Sequence, residues 1–241
     1  MASRVGEGGP EQPSRKRPMP STNFIKDNML IDPSLQQEII RRAVDGNFGN
    51  NPTRAVQSRG AIKMPDGTEV HVHLRHAADA IILDDFGNIV LVTRKHNPGA
   101  GLDALPGGFL DPVHGNGGAT IAENAVTAAL REAVEETGIG KQLLEAAKVS
   151  PIGNRSYDRP FDIRVAWQDM LGTDIKKGDF FAVSTQAFRV KTTQDLSQIS
   201  LKAGDDAKGV HVARISGLTT DQFGIADHLP MILAAQAASP E

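Results

Sequence analysis

One predicted helix, over residues 122–139, has two sides of opposite chemistry and so constrains what must lie on each side of it. Apolar side chains recur three and four residues apart along it, which is the spacing of a face that packs against other structure. These side chains are Ala125, Val126, Ala129, Leu130, Ala133 and Val134. Gly138 predicts the end of the helix, because glycine readily adopts the left-handed conformation that closes a helix. The chain therefore needs a layer that covers this face.

The other side of this helix carries Glu132, Glu135 and Glu136, whose spacing brings their carboxylates onto one patch. Like charges at these spacings repel by about 0.2–0.5 kcal/mol per pair, so three of them call for a counter-charge. A divalent cation such as Mg²⁺, which binds carboxylates and keeps waters for a phosphate substrate, would supply it. A solvated acidic face, with Arg131 and Glu135 as an ordinary pair one turn apart, is the alternative that the helix alone leaves open.

Alternating apolar residues predict strands on both sides of the helix in the chain. Residues 70–74 alternate after a turn signal at residues 65–68. Residues 78–83 and 89–94 form a second pair, joined by the turn sequence DDFGN. Further strands are predicted at residues 164–167, 180–190 and 209–215, and a last helix at about residues 225–237. Strands that flank a central helix predict an α/β sandwich.

Three segments of different composition divide the chain. Residues 1–22 are rich in Gly, Pro, Ser and charge, and we expect a flexible tail because they can bury too little surface to become ordered. Residues 23–60 are expected to form a helical and extended N-terminal segment, in which Asp32 and Pro33 open a helix. Residues 61–241 are expected to form the main domain.

The charge balance and the absence of cysteine narrow the classes of partner. Twenty-six Lys and Arg face twenty-nine Asp and Glu, for a net charge of −3, which gives no broad basic field for nucleic acid. We therefore expect a small-molecule partner and no nucleic acid. The chain has no cysteine, in keeping with a reducing compartment, and no apolar run near the ~20 residues of a membrane helix. These features predict a cytoplasmic protein without a membrane partner, present as a monomer or homodimer.

Three histidines lie close together in the first strand region, and two of them share a strand face. His71, His73 and His76 resemble metal ligands, but no fourth partner stands at a recognisable spacing. We expect them to lie at the surface or on an edge strand.

The sequence LPGGFLD at residues 105–111, together with Glu123 and REAVEETGI at residues 131–139, resembles the signature of the Nudix hydrolases. In that signature a Gly is followed by five residues, a Glu, seven residues, and then Arg-Glu-hydrophobic-x-Glu-Glu-x-Gly-hydrophobic. Seven residues separate Glu123 from Arg131, as the signature requires. The resemblance implies a Nudix-type α/β/α sandwich with a mixed sheet.

The chain departs from this signature in the spacing of its glycines. The Pro-Gly-Gly that normally precedes the Glu by six residues stands fifteen residues before it, and residues 112–121 are interpreted as an inserted loop. Gly117 satisfies the literal spacing, but the LPGGF context favours Gly107 and Gly108 as the functional pair.

The resemblance also implies a metal site and a set of catalytic residues. The backbone carbonyl of Gly107 and the side chains of Glu132, Glu135 and Glu136 would hold Mg²⁺ or Mn²⁺. Arg131 would orient one of the glutamates by a charge-assisted hydrogen bond. Glu132, Glu135 and Arg131 are therefore the catalytic candidates on the helix.

The signature says less about three further residues. Glu123 is expected either to support the loop or to form a capping box with Thr120. A base that accepts a proton from the attacking water is expected on a late loop, and Asp205 and Asp206 are the candidates. An Asp-rich turn is the alternative explanation for these two aspartates.

Several stretches outside the signature are similar to ADP-ribose pyrophosphatases, among them HAADAII at residues 76–82, AGDDA at residues 203–207 and ADHLPMI at residues 226–232. This similarity implies hydrolysis of ADP-ribose to AMP and ribose 5-phosphate. NADH, a dinucleoside polyphosphate and a sugar nucleotide are the alternative substrates. A module that senses ADP-ribose without cleaving it is the alternative of a different class, and the intact glutamates count against it.

Overall fold

The computed structural model describes residues 56–63, 66–96, 99–114, 120–156, 161–162 and 179–238. The expected tail, the helix that Asp32 was predicted to open and the strand predicted at residues 164–167 lie outside these residues. None of the described helices is long and apolar enough to cross a membrane.

A mixed sheet forms the centre of the described structure. Its strands are β1 (Val56–Lys63), β2 (Glu69–Leu83), β3 (Asn88–Arg94), β4 (Asp103–Ala104), β5 (Gly107–Phe109), β8 (Lys148–Ser156), β9 (Phe161–Asp162), β10 (Phe180–Lys191) and β11 (Ala207–Arg214). Along its main path the order is β11-β3-β2-β10-β8. Two more strands, β6 (Pro112–His114) and β7 (Thr120–Ala122), form a separate antiparallel pair.

The long strand β2 organises this sheet because it is paired along both edges. One edge runs parallel to β10, from Val72 opposite Phe180 to Leu83 opposite Lys191. The other edge is shared by β1, β5 and β3, all antiparallel to β2. The short strand β5 therefore has the middle of β2 as its support, which places the residues of the glycine pair beside Ala78 and Asp79.

Helices cover both faces of the sheet and bury two apolar clusters. On one face lie α1 (Ala125–Thr137) and α2 (Lys141–Ala146), packed on residues of β2 such as Ala80 and Ile82. On the opposite face α3 (His228–Ala237) packs on the alternate residues Ile81 and Leu83. This alternation follows from the two-residue period of a strand. The predicted α/β/α sandwich with a mixed sheet is thus confirmed.

The lengths of several elements differ from those that the sequence predicts. Residues 70–74 and 78–83 belong to one strand of 15 residues, because pairing on both edges keeps the backbone extended between them. The last helix begins at His228, three residues later than predicted. Strand β8 was not predicted, since Pro151 interrupts its pattern, and the register of its pairing with β10 shifts at that point.

Two boundaries bear on the expected organisation of the chain. Strand β1 begins at Val56, before the expected start of the main domain at residue 61, and pairs within the same sheet as β2. The expected inserted loop at residues 112–121 contains the strands of the β6–β7 pair, which meet through Val113 opposite Ile121. Both of these side chains are exposed.

Candidate active site and metal centre

Local capping fixes the ends of helix α1, which carries the acidic patch. The side chain of Asn124 accepts hydrogen bonds from the N–H groups of Val126 and Thr127, so Asn124 is the N-cap. The predicted capping box of Thr120 with Glu123 is therefore wrong: Thr120 lies in β7, before the helix. At the other end Gly138 has φ 63° and donates its N–H to Val134, as predicted.

The guanidinium of Arg131 joins three acidic side chains to strand β5, which carries the glycine pair. Its Nη1 donates to Glu132 at 2.8 Å and to Glu135 at 3.1 Å. Its Nε and Nη2 donate to the two carboxylate oxygens of Glu123, at 3.2 and 2.9 Å. Nη2 also donates to the carbonyl of Phe109 at 3.2 Å. Glu123 therefore has the loop-supporting position, and Arg131 fixes strand β5 to the helix.

The glycine pair brings the backbone of β5 against the carboxylates. Gly107 donates its N–H to Glu136 Oε2 at 3.0 Å. A Cβ on Gly107 would overlap Asp79 Oδ1 and would lie 2.6 Å from the carbonyl oxygen of Ala78. A Cβ on Gly108 would overlap the carboxylate of Glu132. No other residue type allows both approaches, which explains two glycines in succession.

Burial disfavours the charged form of the innermost carboxylates. It raises the pKa of Glu136 to about 7, although the hydrogen bond from Gly107 opposes the shift. It also raises the pKa of Glu132, against the effect of the neighbouring Arg131. Asp79, on β2 beneath Gly107, has a pKa raised to about 8 by burial and by the charge of Glu136. This part of the site carries more carboxylates than nearby cations can neutralise, so an added cation would be stabilised here.

The chemistry of these groups fits a hard divalent cation. Among the described residues no three His, Cys, Asp or Glu side chains form a ready metal-binding group. Glu132 and Glu135 both accept from Arg131 Nη1, so a guanidinium nitrogen lies between these two carboxylates. The Glu135 side chain is 57% exposed, so it can break its bond to Arg131 without any buried group becoming exposed. Carboxylate oxygens and a glycine carbonyl are the donors that Mg²⁺ and Mn²⁺ take.

The loop that carries Asp205 and Asp206 docks on the C-terminal end of α1. Gly204 donates its N–H to the carbonyl of Glu136 at 3.0 Å, which satisfies an otherwise unpaired helix carbonyl. A Cβ on Gly204 would overlap the carbonyl oxygen of Glu135. The charge of Asp206 contributes to the raised pKa of Glu136. Asp205 contributes its backbone carbonyl, which accepts from Lys95 Nζ at 2.7 Å.

The structure adds residues to the site that the sequence did not single out. Asp79 lies beneath Gly107. The positive charge of Arg94 on β3 opposes the rise in pKa that burial causes at Asp79 and at Glu136. His228, the first residue of α3, accepts the N–H of Leu105 through Nδ1 at 3.0 Å. The stretches HAADAII and ADHLPMI contain Asp79 and His228, so a signal for both was present in the sequence.

The expectation of surface or edge-strand histidines is wrong for His73 and His76. Both are buried, and β2 is paired on both edges. His73 Nε2 lies 3.0 Å from Asp179 Oδ2, and Asp179 Oδ1 also accepts the N–H of His71. The His73–Asp179 contact ties β2 to the segment that precedes β10.

Comparison with known proteins agrees with the fold and the glycine loop and helix described above. The family model of the NUDIX domain matches residues 73–191, which span the glycine pair, the acidic helix and the parallel strands β2 and β10. Residues 73–191 of the chain are therefore similar to a NUDIX domain.

Particular relatives extend this comparison. The ADP-ribose pyrophosphatase of Methanocaldococcus jannaschii is 34% identical over 110 residues, which cover 46% of this chain and 59% of that protein. The chain thus spans somewhat more than half of the length of this curated relative.

Two solved structures are more distant. The NUDIX domain of Shewanella oneidensis NrtR, complexed with ADP ribose, is 16% identical, with 72% of this chain and 91% of that chain covered and a TM-score of 0.45. A bifunctional NMN adenylyltransferase/ADP ribose pyrophosphatase from Francisella tularensis, complexed with AMP and a Mn ion, is 20% identical, with 88% and 50% covered and a TM-score of 0.42.

Proposed function

We propose that the chain is a metal-dependent pyrophosphohydrolase that cleaves ADP-ribose to AMP and ribose 5-phosphate. One observation carries the proposal: Gly107 binds Glu136 and Gly108 lies against the carboxylate of Glu132, although the glycine pair lies 24 or more residues earlier in the chain. The 34% identity to an ADP-ribose pyrophosphatase supports ADP-ribose as the substrate. The absence of cysteine in the sequence supports a cytoplasmic location.

In this proposal the carbonyl of Gly107 and the carboxylates of Glu132, Glu135 and Glu136 hold Mg²⁺, or Mn²⁺ in its place. When bound, such an ion neutralises the pyrophosphate and lowers the pKa of a coordinated water. Arg131 holds Glu132 in place at 2.8 Å and favours its ionised form, since a charge-assisted bond stabilises the carboxylate. Glu135, the more exposed of the two carboxylates bonded to Nη1, is the one that turns toward the ion.

The proton of the attacking water requires an acceptor within hydrogen-bond reach. Asp206 is the favoured candidate of the two on the late loop, because its charge acts on Glu136. Docking of this loop through Gly204 holds the candidate base at the C-terminal end of α1. The loop that carries the candidate base is therefore attached to the helix that carries the proposed glutamate ligands.

The test is release of AMP from ADP-ribose by the purified chain with Mg²⁺ present. We expect turnover in the wild type and its loss in the double variant E135Q/E136Q, which keeps the shape of both side chains. Unaltered turnover in the double variant would contradict the metal assignment. A product screen with NADH, a dinucleoside polyphosphate and a sugar nucleotide separates the alternative substrates. Tight binding of ADP-ribose without any release of AMP would identify a sensing module instead.

A further inference from the structure

His228 on helix α3 contacts the glycine loop from the face of the sheet opposite to α1. Its side chain is almost completely buried, with 1% of the residue exposed. Nδ1 accepts the N–H of Leu105 at 3.0 Å, and a ring nitrogen that accepts carries no proton. Burial lowers the pKa of His228 to about 3, so the ring is neutral and its proton lies on Nε2.

The Nε2 of this ring points toward the group beneath the glycine pair. It lies 3.6 Å from Asp79 Oδ2, which is too far for a hydrogen bond but close enough for one to form after a small shift. Within the described part of the chain, neither of these two buried atoms has a hydrogen-bond partner. Buried polar atoms of native proteins are nearly always paired, and a small shift that joins these two atoms would satisfy both.

The loop between Leu105 and Gly107 is held from both faces of the sheet. Pro106 accepts the N–H of Ala80 at 2.8 Å through its carbonyl, and Gly107 binds Glu136 through its own N–H. The third attachment is the bond of Leu105 to His228. Together these bonds orient consecutive peptide planes, and with them the carbonyl that Gly107 offers to a cation.

We propose that His228 is a positioning residue for the metal site: its Nδ1 fixes Leu105 and its Nε2–H supports Asp79 beneath Gly107, so that helix α3 sets the direction of the Gly107 carbonyl. The inference rests on the proposed function, because it requires a divalent ion at that carbonyl. It assigns a role to a side chain from the far end of the chain that contacts neither the ion nor the substrate. Loss of such an outer partner typically weakens metal affinity by about 10- to 100-fold.

Two substitutions separate the two ring nitrogens. In H228N the amide oxygen stands near the place of Nδ1 and can still accept from Leu105. In H228Q the amide lies near the place of Nε2, and the Leu105 N–H loses its acceptor. We expect Mn²⁺ binding, measured from the electron paramagnetic resonance signal of free Mn²⁺, to weaken about 10- to 100-fold in H228Q, which loses the formed bond to Leu105. In H228N, which loses only the longer approach to Asp79, we expect a loss of less than about threefold. H211Q is the matched control, because His211 is 41% exposed and lies on β11.

The outcomes distinguish this inference from the function on which it rests. If the wild type binds Mn²⁺ and E135Q/E136Q does not, the metal site stands, and equal Mn²⁺ affinity in H228Q, H228N and the wild type overturns the role of His228. If the wild type itself binds no Mn²⁺, both proposals are wrong.

A measurement on the wild type covers the case in which the His228 variants fail to fold. Coupling between two sites is reciprocal, so a bound ion must stabilise the Leu105–His228 bond as that bond stabilises the ion. We expect saturating Mg²⁺ to slow hydrogen exchange of the Leu105 amide by about 10-fold or more, measured by nuclear magnetic resonance. An unchanged exchange rate at this amide, with Mg²⁺ demonstrably bound, contradicts the proposal.

Discussion

Alanine substitutions at the two glycines of the pair are expected to affect different properties: G107A mainly lowers stability, and G108A mainly lowers activity. In G107A the new Cβ lies 2.6 Å from the carbonyl oxygen of Ala78 and 2.8 Å from Asp79 Cα, which are backbone atoms of the central strand. These atoms cannot withdraw without moving β2. In G108A the three atoms nearest to the new Cβ all belong to the carboxylate of Glu132, the far end of a flexible side chain.

The expected magnitudes differ accordingly. Overpacking against a buried backbone costs about 1–3 kcal/mol, which for a protein of this size lowers Tm by about 2–12 °C in G107A. In G108A the carboxylate can rotate away, so we expect Tm to fall by less than about 3 °C. The displaced Glu132 can no longer act as a ligand, however, and the activity of G108A should fall about 10- to 100-fold.

Thermal unfolding followed by circular dichroism, and AMP release at saturating Mg²⁺, measure the two effects. G217A is the control, because a Cβ on Gly217 meets no atom within 4 Å. The reasoning is refuted if G108A keeps wild-type turnover, or if G107A unfolds at the wild-type temperature.

Four further perturbations test other parts of the site. G204A should lower the free energy of unfolding by about 1–3 kcal/mol, because the new Cβ forces the late loop away from the carbonyl of Glu135. Urea denaturation and AMP release should show that stability and turnover fall together. Full turnover would show that the loop is not part of the site. N124A should cost about 1 kcal/mol in urea denaturation through loss of the N-cap, with turnover unchanged. R131K keeps the positive charge but loses the planar guanidinium that reaches three glutamates, so kcat should fall about 10-fold. An unchanged kcat would exclude an orienting role for Arg131. The folded-state pKa of Glu136, about 7, lies above the ordinary value of 4.5, so folded protein without metal binds more protons than unfolded protein between these pH values. Its free energy of unfolding should therefore fall relative to that of E136Q as pH rises from about 4.5 to 7. A constant difference between the two proteins would contradict the burial of this carboxyl.

The sequence by itself determined the features that depend only on residues a few positions away, namely helix faces, helix ends and strands. The spacing of Glu132, Glu135 and Glu136 placed three carboxylates on one face of a helix, and Gly138 gave the end of that helix. The alternation of residues 180–190 and 209–215 gave strands that the structure contains. These features were predictable because helix and strand periods are local properties of the chain.

Only the tertiary structure decided which distant residues meet. Asp79 and His228 are 149 positions apart, and they approach because β2 passes beneath the glycine loop while α3 packs on the opposite face from α1. The burial of His73 likewise follows from pairing on both edges of β2, which no local pattern specifies. Strand pairing and the packing of helices on each face join residues far apart in sequence, so their contacts become visible only when the chain is folded.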